Sequence, residues 1–262
     1  MLPILQIGPL AIQTPGLVIL IGVWAGLTLA ERFAGNHKIN PDKIYNLTLA
    51  GLIAGVLGAR LVYAARYSAA FSADPTSLFS LNPGLLDPLG GIAAGMIAAL
   101  IYGQRTHLPF WRTGDALTPA LAVASIALGL SQLAAGSAFG AQTEVPWGIE
   151  LWGAKRHPTQ IYNTLSAGLI LIALWPGRRY LARLSETPGT IFLTFTALSA
   201  CARLVIEGFR GDSAILPNGI RVAQIAAWLV LAACLWALAR PGRAPSEPFP
   251  ARTAGVPEGK KD

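Results

Sequence analysis

An all-α, polytopic membrane bundle of about seven transmembrane helices is the fold class this sequence predicts, and three observations carry that expectation. Of 262 residues, 53% are hydrophobic and only 13% charged, with a mean hydropathy of +0.51, a balance that water-soluble domains of this length rarely show. Apolar runs recur along the chain, each near the roughly 20 helical residues that a hydrocarbon core takes. The basic residues gather in alternate connections between those runs, as they do when Lys and Arg are retained on the cytoplasmic side.

The runs are residues 15–30, 47–65, 86–103, 117–139, 158–175, 190–206 and 220–239. No Lys or Arg precedes Arg32; the first run therefore lacks the basic leader of a secretory signal peptide and is expected to remain in the mature protein. Arg32, Lys38 and Lys43 follow the first run, Arg105 and Arg112 the third, Arg178, Arg179 and Arg183 the fifth, and Arg240 the seventh. The opposite connections hold Arg66, Lys155, Arg156, Arg210 and Arg221. The expected topology is therefore amino terminus outside and carboxyl terminus cytoplasmic. That distribution accounts for the net charge of +7 without invoking nucleic acid.

Residues 1–240 are expected to form one transmembrane domain. Residues 241–262 carry Arg243, Arg252, Lys260 and Lys261 among Pro, Gly, Ser and Ala, a mixture too poor in apolar side chains to fold alone, so a disordered basic cytoplasmic tail is expected. Cys201 and Cys234 lie inside apolar runs with no zinc or haem spacing and read as packing residues. Gly51 with Gly55, and Gly91 with Gly95, give the small-xxx-small spacing that lets helices approach closely in lipid.

Ionisable side chains at membrane depth cost several kcal/mol unless they face a polar interior, so they mark candidate sites. In "CARLVIEGFRGD", Arg203, Glu207 and Arg210 fall at i, i+4 and i+7, which predicts one helical face with a surplus positive charge near the outer surface. A guanidinium there suits a phosphodiester, whose oxygens match its planar fork of donors. The bland alternative is an ion-pair cluster that only fixes helix packing. Arg60, in "GVLGARLVYAARY", sits at similar depth and is expected to join the same chamber.

"RHPTQIYN", residues 156–163, opens the fifth run. Pro158 suits a first helical turn, so His157 sits at the cap, with Gln160 and Tyr162 in the first turns at the outer interface. His37 and His107 fall in cytoplasmic connections, so outward imidazole chemistry must use His157; a capping role is the plain alternative. Trp147, Trp152 and Tyr180 read as interface anchors.

These segments, in this order, resemble the prolipoprotein diacylglyceryl transferase family. The likeness begins in "IGPLAIQTPGLVILIGVWAGLTLAERFA", continues through "GLIAGVLGARLVYAARY", "GGIAAG" and "TEVPWGIE", and ends in "RHPTQIYN" and "ARLVIEGFRGD". The resemblance implies transfer of the diacylglyceryl group of phosphatidylglycerol to the lipobox cysteine thiol of a preprolipoprotein, releasing glycerol phosphate, in the bacterial inner membrane with the site facing outward. It implies no metal and no organic cofactor. The matching residues are His157, Glu207 and Tyr162 as catalytic groups, and Arg60, Arg203, Arg210 and Gln160 toward the phospholipid. The chain departs from the family pattern at Leu89, where a His is usual, and at Gly129, Gln132 and Ser137, where Arg, Asn and Glu are usual. Pro15 and Ser199 replace expected tyrosines, and Asn163 replaces a common Glu. Two readings stay open: a divergent transferase with His157 as base, and a non-catalytic relative that binds phospholipid or lipoprotein precursor. A solute transporter fits least, for want of an inverted repeat.

Overall fold

The computed structural model describes residues 4–7, 10–73, 76, 85–176, 187–217 and 219–240. Arg178, Arg179, Tyr180, Arg183 and the tail at 241–262 lie outside the described residues, and so does the expected domain boundary after residue 240.

Each apolar run contains a helix. These are α1 Thr14–Ala34, α2 Pro41–Arg66, α4 Pro88–Arg105, α5 Phe110–Ala135, α6 Thr159–Ala173, α7 Thr190–Glu207 and α8 Val222–Ala239, with a short α3 at Ser68–Ala73. Five of them, α1, α2, α5, α7 and α8, are long and apolar enough to cross a membrane. At 15 residues, α6 spans only about 22 Å at 1.5 Å per residue, short of a hydrocarbon core of about 30 Å. Local chemistry starts and stops these helices. Asn40 accepts the Asp42 N–H ahead of Pro41, and Asp87 accepts the Gly90 N–H ahead of Pro88. Gly136, at φ 69°, ends α5 in the left-handed conformation.

Small residues set the helix contacts. A Cβ on Gly95 would lie 2.8 Å from the Gly51 carbonyl oxygen, and one on Gly58 would lie 2.2 Å from Ala94 Cβ, so α2 and α4 pack backbone to backbone. Gly22 meets Ala127 and Gly26 meets Ala120 in the same way across α1 and α5. The α2–α4 pair packs on α1, α1 on α5, α5 on α6 and α7, and α7 on α8. Ala30, Ala34, Ile39, Ile44 and Ala116 form a core where the end of α1 meets the starts of α2 and α5. Arg32, Lys43, Arg105 and Arg112 therefore sit at one common end of the bundle.

At that end, α7 borrows its cap from another helix. Asp115 of α5 is 2% exposed; its Oδ2 accepts the Gly189 N–H at 2.6 Å and its Oδ1 accepts the Phe192 N–H at 2.8 Å. A carboxylate at a helix amino terminus satisfies orphan donors and complements the helix dipole. Asp115→Ala is expected to cost about 3 kcal/mol of stability, since it strands two buried donors. Thermal unfolding of the purified variant in detergent checks this, and an unchanged midpoint contradicts it.

The all-α expectation needs correction at the opposite end. Two antiparallel hairpins lie there: β1 Ile4–Ile7 with β2 Leu10–Gln13 leading into α1, and β3 Ile149–Leu151 with β4 Ala154–Arg156 leading into α6. A helical periodicity search passes over strands this short.

Candidate functional site

The second hairpin belongs to a small patch of extended chain that builds the site. Thr143 donates its N–H to the Lys155 carbonyl, and His157 donates its N–H to the Ala141 carbonyl. On the other flank, Ala141 donates to the Phe209 carbonyl and Gly211 to the Phe139 carbonyl. Residues 139–143 therefore run between the stretch 209–211 and β4, joining the end of α7 to the start of α6. Two glycines permit the approach. A Cβ on Gly140 would lie 2.3 Å from the His157 carbonyl oxygen, and one on Gly211 would lie 2.7 Å from the Gly140 carbonyl oxygen. Thus "RHPTQIYN" and "ARLVIEGFRGD", distant in sequence, share one backbone framework.

Glu207, the last residue of α7, is 1% exposed and forms the electrostatic centre. Arg203 Nη2 lies 2.9 Å from its Oε2, a charge contact without hydrogen-bond alignment. Ser213 Oγ donates to its Oε1, and Arg210 Nε stands 3.9 Å from Oε2. Arg221 Nη1 donates to the carbonyl oxygens of Glu207 and Arg210. Arg210 also forks onto Asp212, with Nε at 2.9 Å and Nη2 at 2.8 Å from Oδ1. Three guanidiniums face two carboxylates among the described residues, which leaves one positive charge over. The Arg203 side chain is the most open member of its pairs, 38% exposed against 13% for Arg210.

The placement of Arg210 differs from the helical expectation. Helix α7 ends at Glu207 with Gly208 as its cap, and Arg210 returns to Glu207 through a turn paired to Gly140. Arg221 and Ser213 were not expected in the cluster. Their contacts span 14 and 6 residues of chain, and no periodicity reports such a separation. Asp212 stood in the quoted motif without an assigned role.

His157 sits on the same framework. Its ring packs against Phe209 at 5.1 Å between centroids, and Nδ1 lies 3.3 Å from the Tyr162 hydroxyl. That hydroxyl also accepts from Trp147 Nε1 at 2.8 Å. With the Nδ1–H tautomer, indole and imidazole both donate to the phenol oxygen, and Nε2 keeps a lone pair with no partner among the described residues. Trp147, expected as an interface anchor, joins this chain of bonds.

Gln160 is fully buried. Its Nε2 donates to the Ser137 carbonyl at 2.8 Å, and its Oε1 has no partner among the described residues. Beside it, Thr159 Oγ1 donates to the Ala138 carbonyl at 2.7 Å, so α6 pins residues 137–138 by their backbone. Arg60 stands elsewhere, on the α2–α4 pair, where its Nη1 donates to the Leu85 carbonyl at 3.1 Å. Nearby, Arg66 pairs with the buried Asp87 at 2.8 Å.

The departures from the family pattern also have places. A Cβ on Gly129 would lie 2.3 Å from Thr164 Oγ1, so no arginine side chain fits between α5 and α6. Leu89, in the first turn of α4, is 70% exposed. An apolar groove of about 440 Å³, lined by Met96, Leu100, Phe110 and Leu117 among others, lies between the end of α4 and the start of α5, and among the described residues no carboxylate or guanidinium lines it.

Comparison with known proteins gives a consistent answer. A family model described as prolipoprotein diacylglyceryl transferase matches residues 3–240. A phosphatidylglycerol–prolipoprotein diacylglyceryl transferase of Thermosynechococcus vestitus is 28% identical over 249 residues, covering 90% of this chain and 91% of the relative. Relatives of the same name from Chloroflexus aggregans, 27% identical with 86% and 84% covered, and Agrobacterium fabrum, 29% identical with 90% of each chain covered, also match.

Proposed function

The chain belongs to the prolipoprotein diacylglyceryl transferase family, and from that premise we propose that it transfers the diacylglyceryl group of phosphatidylglycerol to a lipobox cysteine of a preprolipoprotein. It is a multi-pass bacterial membrane protein and a transferase. We place the seven helices of the apolar runs, α1, α2 and α4 to α8, in the inner membrane, with the amino terminus and the hairpin end outside. The paucity of Lys and Arg at that end relative to the other supports this orientation.

The observation that carries the reading is the buried Glu207 cluster with its unneutralised guanidinium. In the reaction, the thiolate sulfur forms a bond to the glyceryl carbon while the bond from that carbon to the phosphate oxygen breaks. The thiol proton passes to His157 Nε2, and glycerol phosphate leaves with the bonding pair. A thiol must become thiolate to attack, which a free imidazole nitrogen assists. A leaving phosphate gains charge, which a fixed guanidinium stabilises. Arg203 and Arg210 hold the phosphate, Glu207 holds both arginines in place, and Tyr162 orients the imidazole. Arg60 approaches the headgroup from the α2–α4 side. Gln160 contributes by fixing residues 137–138 at the edge of the lipid site.

A second reading, a non-catalytic phospholipid-binding relative, is favoured by one observation: the close packing at Gly129 leaves no room for the arginine usual there. Both readings require the chamber. Arg203→Ala is expected to weaken phosphatidylglycerol binding roughly tenfold to a hundredfold, the scale of losing charge-assisted hydrogen bonds. Arg112→Ala, at the opposite end, is expected to change it less than about twofold. Binding isotherms in detergent check the pair, and equal effects contradict the chamber.

A further inference from the structure

The β3–β4 hairpin has an open edge, and its register identifies which groups it offers. Trp152 and Gly153, at φ 55° and 75°, form the two-residue turn, closed by the pair Leu151 and Ala154. Such turns have both central residues at positive φ, and the closing pair exchanges both backbone bonds. Alternation then makes Glu150 and Lys155 a pair whose N–H and C=O groups point away from each other. The Lys155 carbonyl confirms this, since it accepts the Thr143 N–H on the far side of β4. The Glu150 N–H and C=O consequently face outward from β3, and neither has a backbone or side-chain partner among the described residues.

The edge is continuous with the site. Trp147, two residues before β3, donates to the Tyr162 hydroxyl beside His157. At the other end, Trp152 is 69% exposed while its Nε1 is fixed to the Gly136 carbonyl at 3.0 Å. Trp147 is 61% exposed. Two anchored indoles thus flank one open pair of backbone groups, and one flank leads to the imidazole.

We propose that the extended segment of the protein substrate next to its acceptor cysteine adds as a strand to the Glu150 edge of β3, its side chains lying against Trp147 and Trp152. Strand addition takes affinity from main-chain bonds and places little demand on sequence, as one site serving many different polypeptides requires. The paired strand runs past Trp147, which delivers the thiol toward His157. The identity of the partner rests on the transferase reading; the docking edge does not.

The test uses the full protein in detergent and a dye-labelled lipobox peptide with serine in place of cysteine, so that anisotropy reads binding without transfer. Proline is tolerated on an edge where its missing N–H faces outward, so Glu150→Pro keeps the hairpin while removing the donor. Expected are a loss of roughly tenfold in peptide affinity for Glu150→Pro, the scale of one or two hydrogen bonds, less than about twofold for Glu150→Ala, and unchanged phosphatidylglycerol binding in both. N-methylation of the peptide, scanned residue by residue against the wild-type protein, is expected to weaken binding at the one position whose N–H meets the Glu150 carbonyl and to be tolerated at its two neighbours, whose N–H groups face away. The proposal is overturned by wild-type protein that does not bind the peptide, by a proline variant that binds like wild type, by an alanine variant as weak as the proline one, or by a scan with no single sensitive position. Wild-type protein that binds the cysteine peptide without modifying it sinks the transferase reading and leaves the docking edge standing.

Discussion

Glu207→Ala is expected to lower folding stability by about 3–5 kcal/mol, the scale of removing one partner from a buried charge cluster. The size follows from what remains. Arg203 and Arg210 lose the carboxylate between them, and Ser213 loses its acceptor. Asp212 still neutralises Arg210, so the orphaned charge is chiefly that of Arg203. Glu207→Gln keeps the volume and the acceptor for Ser213 and is expected to recover part of the loss. Denaturant unfolding of both variants in detergent decides this. An alanine variant within about 1 kcal/mol of wild type would mean that the cluster is solvated and weak.

His157→Ala is expected to slow transfer by about 10²–10⁴-fold, the range for loss of a positioned general base, while leaving phosphatidylglycerol affinity unchanged. The separation of effects follows from geometry. His157 touches Phe209 and Tyr162, whereas the ion pairs to Glu207 are made by Arg203 and Arg210. A base acting on the thiol also predicts that raising the pH partly rescues the variant, because thiolate then forms without assistance. Single-turnover rates and lipid isotherms on the same preparation separate the two quantities. Equal losses in rate and lipid affinity would instead assign His157 to the phosphate.

Much of the helical scaffold was legible because lipid imposes a strong composition signal and helices satisfy their own backbone. The boundaries show where that signal thins. The fourth run was expected from residue 117, yet α5 begins at Phe110, because Arg112 and Asp115 lower the local hydropathy of a turn whose carboxylate is buried as a cap. The second run was expected from residue 47, although Asn40 and Pro41 are the stronger start signal and α2 begins there. Gly208 ends α7 before the third charge of the expected stripe, so Arg210 reaches Glu207 from a turn and not along a helical face.

The candidate site was legible in its residue types, whose functional roles are a proposal, and not in its connections. His157, Glu207, Arg203 and Arg210 stood out as charges or imidazole where lipid or interface was expected. What joins them is a backbone patch licensed by Gly140 and Gly211, and a glycine in sequence does not announce which strand will lie against it. Arg221 was visible only as one cation among several between apolar runs. The hairpin turn at Trp152 and Gly153 was equally hidden, since a tryptophan at positive φ is uncommon.

The most direct measurement of the central claim is a transfer assay with the purified protein, phosphatidylglycerol and a lipobox peptide, read as peptide mass before and after incubation. The account predicts a gain of one diacylglyceryl unit on the cysteine that disappears in His157→Ala. An unchanged peptide mass, from protein that still binds phosphatidylglycerol and beside an active control enzyme, would contradict it.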